Sequence, residues 1–201
     1  MDEFWAYLQL GFAHITDPAG YDHILFVIAL CAIYTPSQWK PVLILITAFT
    51  LGHSITLALA TLQVIHYSTG LIELLIPVTI FVTAVANFFY KVPSTRFTDR
   101  PPKQSPTRYI LALLFGLIHG MGFSNYLRSL LGQQSSIVKP LFAFNVGLEL
   151  GQILIVFMVL VVAFIAIEML KVRRHDWNLI ISGIVAGMAL SLIINSEYLA
   201  A

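Results

Sequence analysis

Charge is what this sequence has least of. Asp, Glu, Lys and Arg make up 10% of its 201 residues, against 58% hydrophobic. A soluble domain carries about 25% charged residues, so water is excluded as the solvent for most of this surface. The net charge of +1 lacks the basic excess that a nucleic-acid partner demands. One cysteine, Cys31, rules out an internal disulfide. No G-x4-G-K-[ST] signature is present, so a nucleotide-phosphate loop of that type is excluded as an energy source. The start, Met1-Asp2-Glu3, is acidic where a secretory leader begins positive, which predicts an uncleaved N-terminus.

What the sequence has in abundance is long apolar runs. A hydrocarbon core of roughly 30 Å takes about 20 apolar residues per helix. The runs predict an all-α, polytopic transmembrane helix bundle forming a single domain, with about six spans near residues 22–39, 41–65, 71–91, 108–128, 141–171 and 177–197. The first is short. It is preceded by an apolar stretch at 4–15 and the turn-forming Thr16-Asp17-Pro18-Ala19-Gly20, which predicts a short N-terminal interfacial or re-entrant helix. With these spans, Lys40, Lys91, Arg96, Arg100, Lys103, Arg108, Lys171, Arg173 and Arg174 fall on one side, leaving Arg128 and Lys139 opposite. Lysine and arginine favour the cytoplasmic side, so both termini are expected outside, in a bacterial inner membrane. Residues 93–106, with four prolines, read as a solvated linker.

An ionisable side chain at the centre of a span costs roughly 2.5–3.5 kcal/mol on insertion scales, and such residues persist where they pair, face a cavity or work. The stretch from His14 to His23 holds two imidazoles and two further carboxylates, Asp17 and Asp22, around a Pro-Gly turn that lets His14 fold back toward Asp22 and His23. Imidazole suits nickel, cobalt, zinc and copper, and carboxylates balance the charge of a divalent ion. The plainer alternative is a polar helix cap at Asp22. His53 and His119 sit at matched depth on two separate spans; a lone histidine there is commonly a hydrogen-bonded packing residue, but two at one depth are harder to dismiss as packing. Asn145, Glu149 and Gln152 share one helical face at spacings of four and three. Glu149 reads as a metal ligand or proton carrier, or else as a protonated acid bonded across helices. Gly116/Gly120, Gly147/Gly151 and Gly183/Gly187 read as packing devices of the G-x-x-x-G type. A weak internal echo, F-x-L-x-H, joins residues 49–53 to 115–119, on spans running in the same direction.

The motifs G-F-A-H-I, G-Y-D-H-I-L-F, T-L-G-H-S-I-T-L, F-G-L-I-H-G-M-G-F and F-N-V-G-L-E-L-G-Q, from Gly11 to Gln152, together resemble the HupE/UreJ membrane proteins. The motifs around His14–His23 and His53 are also similar to those of the NiCoT nickel/cobalt permeases, which pair H-x4-D-H with G-H-S. The resemblance implies uptake of nickel or cobalt and a His-Asp-His cluster at His14, Asp22 and His23; zinc is a further candidate on donor chemistry alone. One departure is visible: the HupE/UreJ spacing is usually H-x5-D-H, whereas seven residues separate His14 from Asp22 here, which either moves His14 off the ion or adds Asp17 to it.

These readings converge on a secondary permease or channel-like importer whose substrate is a divalent transition metal. The ion is captured outside by His14, Asp22 and His23, with Asp17 as an optional ligand. It then passes to His53 and His119 near mid-membrane, with Glu149 balancing charge and Asn145 and Gln152 as supporting donors. Two rivals use the same residues. An intramembrane zinc hydrolase would gather histidines and an acid around one ion with an open water position, with Ser54 assisting. A non-catalytic subunit of a larger membrane complex, or of a homo-oligomer in lipid, would use its polar residues only to lock helices.

Overall fold

A computed structural model of the chain describes residues 3–90, 106–131 and 136–200. The described residues are helical and contain no strand. In chain order they form α1 (Glu3–Thr16), α2 (Asp22–Cys31), a 3-10 turn (Pro36–Gln38), α3 (Trp39–Thr61), α4 (Thr69–Phe88), α5 (Pro106–Gly122), α6 (Ser124–Leu131), α7 (Val138–Phe164), a π turn (Ile165–Met169), α8 (Arg174–Ile194) and α9 (Glu197–Ala200). The protein is a polytopic helical bundle, as the apolar runs predict. Most of the predicted basic linker at 93–106, with Lys91, Arg96, Arg100 and Lys103, lies outside the described residues.

Among the described residues four helices are long and apolar enough to cross a membrane: α3 with its 3-10 turn, α4, α7 with its π turn, and α8. The α5–α6 pair, bent by 49°, makes a fifth if it is one span. The expected first span at 22–39 is not continuous. Its helix, α2, has ten residues, or roughly 15 Å at 1.5 Å each. Hydropathy misses the reason: Pro36 disfavours helical backbone at Thr35, which is extended and caps the next turn. The short N-terminal helix expected before that span is α1. It stands against α7, burying Tyr7, Gly11 and Ile15.

Two pairs of helices interlock through glycine. A Cβ on Gly11 or Gly147 would strike Phe144 O or Leu8 O, so α1 and α7 touch backbone to backbone. Gly52, Gly116 and Gly120 do the same for α3 and α5, against Leu113 O, Phe49 O and His53 O. In both pairs the contacts advance together along the two chains, so partners run parallel. By contrast α4 and α8 are antiparallel: Asn178 Nδ2 donates to Asn87 O at 2.8 Å, while Gly70 faces Tyr198 at the other end. The third glycine pair differs. A Cβ on Gly183 or Gly187 meets nothing within 4 Å, so these residues face away from the bundle. Of the described lysines and arginines, Lys40, Arg108, Lys171, Arg173 and Arg174 lie at the ends where α3, α5 and α8 begin and α7 finishes, the basic end, while Arg128 and Lys139 lie opposite, at the far end.

Candidate metal site

Two helix breaks carry the site. After α1, Asp17 Oδ1 accepts from Ala19 N at 2.9 Å, a local turn that aspartate favours, and Pro18 stops the helix. The chain restarts at Asp22, so His14 in the last turn of α1 and His23 in the first turn of α2 face each other, ring centroids 4.6 Å apart. After α5 the chain bends between Gly122 and Ser124, just past His119. His53 comes from the middle of α3.

All four histidines meet. His23 lies 5.1 Å from His119 and 6.1 Å from His53, and His14 lies 6.1 Å from His53, between ring centroids. His53 and His119 are 0% exposed and His23 5%. Histidine nitrogens bind such ions at about 2.0–2.1 Å. From that length, two imidazoles sharing an ion at octahedral or tetrahedral angles have centroids roughly 4.5–5.2 Å apart. Two of the observed separations fall there. Among the described residues no three His, Cys, Asp or Glu side chains already converge as one coordination shell; His53 must approach by on the order of 1 Å for that. The cluster is therefore a gathering of ligands, short of a closed cage.

Its polar accounting is unusual. His14 Nε2, His23 Nε2, both nitrogens of His53 and His119 Nδ1 are buried with no hydrogen-bond partner in the protein. Leaving one buried polar group unpaired costs about 1–3 kcal/mol, so five at one place call for a ligand. Two of the lone pairs are fixed by neighbours. The Asp22 carboxylate accepts from His23 Nδ1 at 2.9 Å, which leaves Nε2 as the free acceptor. The Thr79 hydroxyl donates to Ile76 O at 2.7 Å, so its oxygen accepts from His119 Nε2 at 3.0 Å, leaving Nδ1 free. A carboxylate or hydroxyl behind a histidine is how metal-binding imidazoles are oriented.

The other residues singled out in the sequence stand apart. Asp17 shapes the break and lines a cavity with His14. Thr47 Oγ1 donates to Glu149 Oε1 at 2.7 Å and Thr50 Oγ1 to Gln152 Oε1 at 2.8 Å, where α3 crosses α7. Asn145 Nδ2 donates to Leu141 O at 2.8 Å. Among the described residues no hydrogen bond or ring contact joins these three to the histidines. The two stations expected from the sequence, an outer cluster and a deeper histidine pair, occupy one place. Thr79 escaped sequence reading because a threonine two residues after Pro77 in an apolar span carries no signal of its own.

Cavities at the far end touch the edge of the cluster, at Asp22 and His14, and line none of His23, His53 or His119. One of about 350 Å³ is lined by Asp22, Glu73, Asn195 and Glu197; another, about 490 Å³, by His14, Asp17, Phe123 and Tyr126. A cavity of about 300 Å³ opens toward the basic end between Thr83, Asn87, Arg108 and Phe115.

Fold and site together define a polytopic helical membrane protein with a buried cluster of four histidines. Residues 1–197 match the family model described as HupE / UreJ protein, and the chain belongs to that family. The family is associated with nickel and cobalt transport and is of transporter rather than enzyme type, so the chain's general class is a membrane protein of metal transport. No curated protein and no solved structure matches it.

Proposed function

We propose that His14, His23, His53 and His119, with Asp22 behind His23, bind a divalent transition metal, nickel or cobalt, in transit through the protein. The observation that carries this is the set of five unpaired buried imidazole nitrogens, two of them held as free lone pairs. Neutral imidazole is a preferred donor for these ions, and Asp22 supplies negative charge beside it. Lysine and arginine mark the cytoplasmic side, so the basic end faces inward in a bacterial inner membrane. The far-end cavities then admit the ion from outside, with Glu73 and Glu197 adding negative charge at the mouth. Glu149 and Gln152 we assign to holding α7 against α3, and Asn145 to a bond within α7, rather than to the ion.

Convergence of all four histidines on one place also favours a second reading, an intramembrane zinc hydrolase. Against it, Ser54 Oγ donates to Thr50 O at 2.6 Å, which turns its proton away from the cluster. One experiment separates the two. Metal content is measured on purified protein after incubation with mixed divalent ions, beside uptake into proteoliposomes. Nickel or cobalt retained by the wild type, lost in His119→Ala and taken up by vesicles supports transport. One tightly held zinc without uptake moves the assignment to the hydrolase.

A further inference from the structure

The two interlocked helix pairs are copies of one device. Gly11 approaches Phe144 O, and Gly116 approaches Phe49 O. Gly147 approaches Leu8 O and Phe12 N, and Gly52 approaches Leu113 O and Leu117 N. Each pair therefore joins a G-x-x-H helix, ending in His14 or His119, to an F-x-x-G helix, bearing Phe49 or Phe144. In both halves the G-x-x-H helix is followed by a break and a short helix, α2 or α6, then by two long helices. Residues 3–88 thus repeat as 106–194, and each half lends its first helix to the third helix of the other. Because α4 and its counterpart α8 run antiparallel, the repeat is inverted across the membrane. Inverted repeats of this kind place substrate between two broken helices near mid-membrane and expose it alternately to either side. The echo between residues 49–53 and 115–119 joins two partner helices rather than repeat mates: the mate of Phe49 is Phe144, and that of His119 is His14. Symmetry is broken at the site, where Leu148 stands in the place of His53.

The mated phenylalanines lie on opposite sides of the histidines. Phe144 precedes the cluster as α7 descends from the far end, 5.8 Å from His14 and 5.1 Å from Phe123, whose ring covers His14 at 3.9 Å. Phe49 lies one turn before His53 on the side of the basic end. It sits 5.1 Å from His119 and 4.8 Å from Phe26, which in turn meets Phe115 on the wall of the basic-end cavity at 6.2 Å. We propose that these are the paired gates of an inverted repeat, Phe144 with Phe123 closing the far side of the cluster and Phe49 with Phe26 closing the basic side. This rests on reading the cluster as a transport site. Apolar rings suit the task because a partly hydrated ion does not pass them until the helices move apart.

The test places a single thiol at the cluster, His53→Cys with Cys31→Ala, in vesicles of each orientation, and measures labelling by a membrane-impermeant cationic methanethiosulfonate. Labelling rate follows the fraction of open molecules, so Phe49→Ala should raise it about tenfold or more from the basic end alone, and Phe144→Ala likewise from the far end alone. The leucine variants at both positions carry the same comparison with smaller changes if an alanine variant fails to reach the membrane. Ala13→Cys and Ala86→Cys, on the two cavity walls with gates intact, should label from opposite sides. Both gate variants opening one side, or neither changing its own side, overturns the proposal. Uptake is read separately on chains that keep His53. Side-selective labelling without nickel or cobalt uptake removes the transport reading and leaves the gates; uptake without side selectivity removes the gates.

Discussion

Two buried polar groups lie in the same bundle and are built on opposite principles. Near the basic end, Asn87 Nδ2 donates to Ala29 O, Asn178 Nδ2 to Asn87 O, and Ser182 Oγ to Asn178 Oδ1. No buried side-chain atom of that network lacks a partner, and it ties α2, α4 and α8 together. The histidine cluster touches two of the same helices, yet leaves five nitrogens unpaired. A buried group that exists for stability completes its hydrogen bonds, because leaving them incomplete costs more than they return. Single atoms on Thr61, Asn145, Gln152 and Trp177 also lack a partner; what sets the cluster apart is that five such atoms gather in one place.

Substitutions in the two groups should behave in opposite ways. The largest effect belongs to the frame carrying the cluster. A Cβ at Gly116 would collide with the backbone of Phe49 and one at Gly11 with that of Phe144, so either alanine variant should fail to give folded protein in membrane extracts. Next, His53→Leu should weaken nickel or cobalt binding at least about 100-fold, which is about 2.7 kcal/mol, while thermal stability holds or rises, because an unpaired polar group is exchanged for an apolar one. A marked fall in melting temperature with binding intact would place His53 among the structural residues. The orienting residues come third. Thr79→Val and Asp22→Asn should each lower affinity by about 10–100-fold, and Thr79→Ser should restore it, as read by calorimetric titration. In the asparagine network the signs reverse: Asn178→Ala should cost about 1–3 kcal/mol of stability with metal stoichiometry per folded molecule unchanged. Gly183→Ala, facing open space, should shift stability by no more than about 1 kcal/mol.

Much of this was legible in the residues. The apolar runs predicted a helical bundle, and His14, Asp22, His23, His53 and His119 stood out because ionisable groups are expensive in lipid. Their meeting in one place was not legible, since it depends on two helix breaks and on the parallel packing of α1 with α7 and α3 with α5. Those are facts about distant segments. The stretch expected as one span at 22–39 is interrupted for a local reason, the turn at Thr35-Pro36, which hydropathy averages away. Glu149 looked functional because it is an acid in an apolar span; its hydrogen bond to Thr47, 102 positions away, is visible only in three dimensions.

Whether the unpaired imidazoles hold the transported ion is read by X-ray absorption at the nickel edge of loaded, purified protein. The account predicts one nickel per chain with three or four imidazole nitrogens at about 2.0–2.1 Å, falling by at least one in His53→Leu and His119→Leu. A shell of oxygen atoms alone, unchanged in both variants, would contradict it.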